Sequence, residues 1–162
     1  SELLFNENIS INTLINIKSK KRDEIFHEAN IKLNILNSKI NFDNSVFINN
    51  DIGLLKITNS DLSIDNDKLT LNAYLSIDVK DTDKLFSFLN TSKQSRKDIN
   101  NIKFNIVYDF SSNQIEFKNI KVNNNELNDE SLNMIEGLGD INSYNLTKSR
   151  RLLNELINLY EG

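Results

Sequence analysis

The chain has 162 residues with 19 Lys and Arg against 23 Asp and Glu, a net charge of −4, so it has room for one ordinary core and lacks the basic field that a phosphate backbone selects. With no Cys, no Pro, no Trp, one His and four Gly, it excludes thiol nucleophiles, disulfides, Cys-based metal sites and glycine-rich phosphate loops. Asn occurs 29 times, which together with abundant Ile and Lys reads as an AT-rich coding sequence; the apolar content of 38% is strongly patterned, so the chain is expected to fold.

Alternation at period two dominates from the start. Ile9, Ile11, Thr13, Ile15 and Ile17 share one parity, broken only by Leu14, and predict a half-buried antiparallel strand. Ile31, Leu33 and Ile35 predict another. Shorter runs follow at Ile40 and Phe42, Leu55 and Ile57, and Leu62 and Ile64, with the apolar parity flipping between Ile57 and Leu62. Such a flip demands a bulge or a tight connection if one sheet face is to stay apolar. Asn59-Ser60-Asp61, Asp65-Asn66-Asp67 and Ser111-Ser112-Asn113 supply turn chemistry, with Asn taking the place of Gly.

The longest alternations are Leu69, Leu71, Ala73, Leu75, Ile77 and Val79, then Ile102, Phe104, Ile106, Tyr108 and Phe110. Between them, Leu85, Phe86, Phe88 and Leu89 behind Asp81-Thr82-Asp83 predict a short capped helix over 82–89. Ile115 and Phe117 flip parity to Ile120 and Val122. Helical spacing returns over 128–138, stopped by Gly137 and Gly139, and over 145–160, where Leu146, Leu153, Leu156, Ile157 and Tyr160 form a stripe. Lys148, Arg150 and Arg151 are read as lying off that stripe. The expected class is α+β: a predominantly antiparallel β-sheet over 1–125 with an inserted helix near 82–89, and a C-terminal helical segment over 126–162.

No residue pattern names a reaction. His27 sits between Glu24 and Glu28 without a Ser or Cys motif, and reads as a surface residue. Asp78, Asp81 and Asp83 lack the Gly turn and distal Glu of a calcium loop and read as helix capping. The run Lys18-Ser19-Lys20-Lys21-Arg22 reads as a solvated strand end. The expectation is a non-enzyme without catalytic, cofactor or metal sites. What carries a functional reading is the apolar sheet face, which is either an apolar groove or a buried core.

Leu69 to Val79, Asp83 to Leu89, Ile102 to Phe110, Gln114 to Asn123 and the ending Ser149-Arg150-Arg151-Leu152-Leu153-Asn154-Glu155-Leu156 together resemble the C-terminal region of AsmA-like proteins of Gram-negative, especially alphaproteobacterial, cells. The resemblance covers about 60% of the chain and rests on alternation and turns. It implies a periplasmic segment, tethered to the inner membrane by a part outside this chain, whose curled sheet forms a groove for phospholipid transport and outer-membrane biogenesis. The implied partners are an acyl-chain lipid and the remainder of the same chain, with no nucleic acid. The first ten residues hold no charged start followed by an apolar run, no stretch approaches the roughly 20 apolar residues of a membrane span, and the absence of an initial Met is read as a soluble piece of a longer protein. Leu71, Leu75, Ile77, Phe104, Ile106 and Tyr108 are the lipid-facing candidates. The alternative is a structural or adhesin-like β-module in which the same face is only core.

Overall fold

Alternating segments joined by Asn-rich turns fold back on one another in sequence, and in the computed structural model they form one antiparallel meander. Residues 6–19, 25–65, 67–127 and 146–160 are described. The strands are β1 (Ser10–Lys18), β2 (Glu28–Leu36), β3 (Lys39–Asn41), β4 (Val46–Asn49), β5 (Gly53–Asp65), β6 (Lys68–Val79), β7 (Asn101–Asp109), β8 (Gln114–Val122) and β9 (Asn125–Glu126). Helix α1 (Thr82–Leu89) lies between β6 and β7, and α2 (Leu146–Leu159) follows the sheet. The sheet order is β1-β2-β3-β5-β6-β7-β8-β9, with β4 filling the rest of the slot that β3 occupies between β2 and β5. Strand so outweighs helix that the molecule is mostly β, which narrows the α+β expectation. The helix expected over 128–138 lies outside the described residues.

The turns explain why so little Gly is needed. Asn37 and Ser38, with φ of 49° and 63°, close β2 onto β3, and Asn123 and Asn124, at 50° and 67°, close β8 onto β9. Positive φ at both central residues is the two-residue hairpin geometry that matches strand twist. Among the described residues, eight of the ten non-glycine positions with positive φ are Asn, the residue whose short amide best tolerates that region.

Both parity flips are bulges. Leu55–Ile57 and Leu62–Ile64 belong to one strand, β5, whose register against β6 shifts between Thr58 and Asp61, with Asn59 at φ 47°. The β7–β8 register shifts between Lys103 and Asn105, and Asn119 on β8 has φ 53°. Each extra residue returns the apolar side chains to the same face. Asn59-Ser60-Asp61, expected as turn chemistry, therefore sits within a continuous strand. Its Ser60 is buried: the hydroxyl accepts from Phe42 N–H at 2.7 Å and donates to Asp43 Oδ1 at 2.7 Å. Where neither β3 nor β4 reaches β2, the fully buried Ser45 hydroxyl accepts from Lys32 N–H at 2.9 Å and donates to the Lys32 carbonyl at 3.3 Å, continuing the ladder with a side chain.

Cross-strand pairing lines the alternating residues into two transverse apolar rows. One runs Ile17, Ala29, Phe47, Leu55, Ile77, Ile102, Val122. The other runs Ile11, Ile35, Ile40, Leu62, Leu71, Tyr108, Ile115. Seven strands at about 4.8 Å spacing make each row roughly 29 Å long. Among the described residues, helices α1 and α2 cover only the later strands, where Leu85, Phe86 and Leu89 of α1 and Ile157 of α2 bury against Leu75, Ile102, Phe104 and Phe117. Asp81 caps α1 by accepting from Lys84 N–H at 3.0 Å, as the spacing predicted, and Asn90 ends it in the left-handed region. Asn154 latches the helices together: its Oδ1 accepts from the Thr91 hydroxyl at 2.7 Å and its Nδ2 donates to the Leu89 carbonyl at 3.4 Å.

Candidate functional site

Between the covered part of the sheet and the helices lies a cleft of about 280 Å³. Its floor is Leu55, Leu75, Ile77, Phe104, Ile106 and Phe117, and its roof is Phe88 and Leu89 of α1 with Leu153 of α2. Phe104 and Phe117 meet at a ring separation of 5.7 Å and tilt against one another, so the floor is firmly packed. At the end nearest β4 the wall is Ile25, Phe26 and Ile52, held by one buried amide: Asn49 donates to the Ile25 carbonyl at 2.9 Å and accepts from the N–H groups of Asp51 and Ile52, each at 3.1 Å. Gly53 forms part of the same wall with φ 147°, and a Cβ there would stand 2.1 Å from the Asp78 carbonyl oxygen.

Of the six lipid-facing candidates, Leu75, Ile77, Phe104 and Ile106 line this cleft. Leu75 and Phe104 are buried at 8% and 7% exposure, while Ile77 and Ile106 are half-buried. Leu71 and Tyr108 are opposite one another in the second row, half-buried and outside the cleft, and the Tyr108 hydroxyl donates to Asn113 Oδ1 in the β7–β8 turn. Past Phe26 and Phe47, whose rings are 5.3 Å apart, a shallower hollow continues the apolar track toward Ile17 on β1.

One polar group at the cleft departs from the sequence expectation. Arg150 does not lie off the apolar stripe of α2; it lines the cleft beside Leu153, and its guanidinium stacks on the Phe88 ring at 4.2 Å. Its Nε is buried and has no hydrogen-bond partner among the described residues. Arg150 also lines a second depression, together with Asn90, Arg151, Asn154 and Glu155, so it borders both the apolar cleft and a more mixed surface. Arg151 is already committed to Glu155 at 2.8 Å. The missed signal was spacing: 150, 153, 157 and 160 follow helical periodicity, which places Arg150 on the same face as the buried Ile157 and Tyr160.

The remaining candidates have structural partners. His27 Nδ1 accepts from the Asn50 N–H at 3.1 Å, and its backbone N–H donates to the Ile48 carbonyl at 2.8 Å, tying β2 to the β4–β5 turn. Glu28 pairs with Lys18 at 3.6 Å. Among the described residues no group of three His, Asp or Glu converges as a metal site would require, and no helix is long and apolar enough to cross a membrane. The chain matches no known family model, no curated protein and no solved structure.

Proposed function

We propose that this chain lends its apolar sheet face to the acyl chains of a phospholipid or similar lipid, as a non-enzymatic periplasmic segment of an AsmA-like envelope protein taking part in lipid transport and outer-membrane biogenesis. The observation that carries the reading is the mismatch, among the described residues, between a face two rows deep and seven strands wide and the helices α1 and α2, which cover only part of it. Each methylene moved from water onto such a surface is worth about 0.8 kcal/mol, so affinity arises from area and needs no catalytic group. Arg150, at the boundary of the apolar cleft with its Nε buried and without a hydrogen-bond partner among the described residues, supports the same reading, because a guanidinium there suits an anionic head group. The burial of Leu75 and Phe104 beneath the helices favours the alternative, a structural or adhesin-like module, for that end of the row.

Titration of the folded chain with a fluorescent phospholipid tests the proposal. Saturable binding is expected, and Ile106→Asp should weaken it at least tenfold because a charge in the cleft must lose its water when a chain arrives. Arg150→Gln should weaken an anionic lipid more than a zwitterionic one. A folded protein that binds neither lipid at any concentration leaves the structural module as the better reading.

A further inference from the structure

Strand β1 is an edge, and among the described residues it pairs only with β2. Ser19 N–H donates to the His27 carbonyl at 2.8 Å, one step beyond the pair Lys18 and Glu28. Hydrogen-bonded pairs alternate along an antiparallel ladder, so the odd residues of β1 turn their N–H and C=O toward β2. Ser10, Asn12, Leu14, Asn16 and Lys18 turn theirs outward. Edges of this kind are ordinarily blunted by charge, Pro, a bulge or shortness. β1 has nine residues, one charge at its very end, no Pro and an unbroken register with β2. One face exposes Ile11, Ile15 and Ile17 at 41%, 44% and 49%, and the otherwise polar face exposes Leu14 at 56%.

The order of residues along β1 says what fits this edge. Read outward from Leu14, the strand is close to a palindrome: Thr13 mirrors Ile15, Asn12 mirrors Asn16, Ile11 mirrors Ile17 and Ser10 mirrors Lys18. We propose that β1 pairs antiparallel with β1 of a second copy about a two-fold axis through Leu14, joining two sheets into one. In this register Leu14 meets its own counterpart and Asn12 meets Asn16 on one face, while Ile11 meets Ile17 and Thr13 meets Ile15 on the other. The residues brought opposite one another as hydrogen-bonded pairs are the even ones, whose backbone groups already point outward, which gives about ten ladder bonds. A slip of one residue would set the Ile row of one copy beside the Asn row of the other. Like charges do not confront one another, since Lys18 falls opposite Ser10 and is held by Glu28 at 3.6 Å. A contact made by one strand edge falls below roughly 1,200 Å², so association depends on concentration. This proposal stands whether or not the cleft takes lipid.

Sedimentation equilibrium of the 162-residue chain over a concentration series should show reversible monomer and dimer. Leu14→Lys places two ammonium groups on residues about 5.5 Å apart at Cα and should raise the dimer dissociation constant at least tenfold. Leu14→Glu should do the same. An equimolar mixture of the two variants should recover a dimer, because only a register that sets position 14 against itself turns both repulsions into one attraction. Phe110→Lys, a comparably exposed site at 46% on the far side of the sheet, should leave association unchanged. Circular dichroism confirms that each variant is folded, and recovery in the mixture separates lost pairing from lost structure. A chain monomeric at every concentration overturns the proposal, as does a dimer indifferent to Leu14→Lys, a dimer lost in Phe110→Lys, or a mixture that stays monomeric.

Discussion

Asp109 shows how single polar residues hold the ends of these strands. A hydrogen bond from the Ser112 side chain, joined by the N–H groups of Ser111 and Ser112 and by the Lys68 ammonium, holds its carboxyl below the usual carboxylate range. A lowered folded-state pKa means stabilisation that is complete above the unfolded value of about 3.9 and lost as pH falls through the folded one. We expect the Asp109 carboxyl resonance to titrate below that value, and Asp109→Asn to flatten the acid limb of stability against pH at the β7–β8 turn; titration at or above the ordinary value would contradict this. Gly53 is the opposite kind of residue, defined by what it lacks. With φ 147° and the Asp78 carbonyl 2.1 Å from where a Cβ would be, Gly53→Ala should lower stability by at least about 2 kcal/mol in urea unfolding, because backbone strain and a clash add. A neutral result would show that the β4–β5 turn can relax away from β6.

For the elements, the bulges are where sequence and fold agree most closely. Ile57 and Leu62 could not share a face without an extra residue between them, nor could Phe117 and Ile120, and Asn59 and Asn119 stand at those places. Asn119 is exposed, so Asn119→Ala should cost about 1 kcal/mol by forcing a β-carbon into the left-handed region, while Asn119→Gly should be neutral or mildly stabilising. Equal melting temperatures for the two would show that φ at 119 is not what the Asn is there for. Alternation was legible because a strand buries one face whatever covers it. The short strand β4 (Val46–Asn49) is not legible because four residues hold too few repeats of the pattern, and β5 reads as two runs because its Asn-Ser-Asp bulge has the composition of a turn. Four of six cleft candidates followed from parity along β6 and β7; Leu71 and Tyr108 share that parity but lie beyond the helices, a matter of tertiary placement. Arg150 was legible only by weighing its helical position above its charge. The Asn154 latch between α1 and α2, 63 residues from its Thr91 partner, has no local signature at all; Asn154→Ala should cost about 1 to 2 kcal/mol and leave the sheet intact by circular dichroism.

In the whole molecule, coverage of one apolar face falls from β8 toward β1, and local stability should follow it. Leu75 and Phe104 sit in strands paired on both sides and roofed by helices, whereas Ile11, Ile15 and Ile17 lie on an edge at 41% to 49% exposure. Amide hydrogen exchange resolves this residue by residue. Amides of β6 and β7 should exchange only through global unfolding. In β1 at low concentration the pattern should alternate, with Thr13, Ile15 and Ile17 slow because their N–H groups bond β2, and Asn12, Leu14 and Asn16 fast because theirs face water. Raising the protein concentration should slow the even set alone, since a second β1 would satisfy those donors and leave the odd ones as they were. Uniformly fast exchange along β1 would mean that the strand frays as a unit, and slowing of both sets together would mean that concentration closes something other than the free edge.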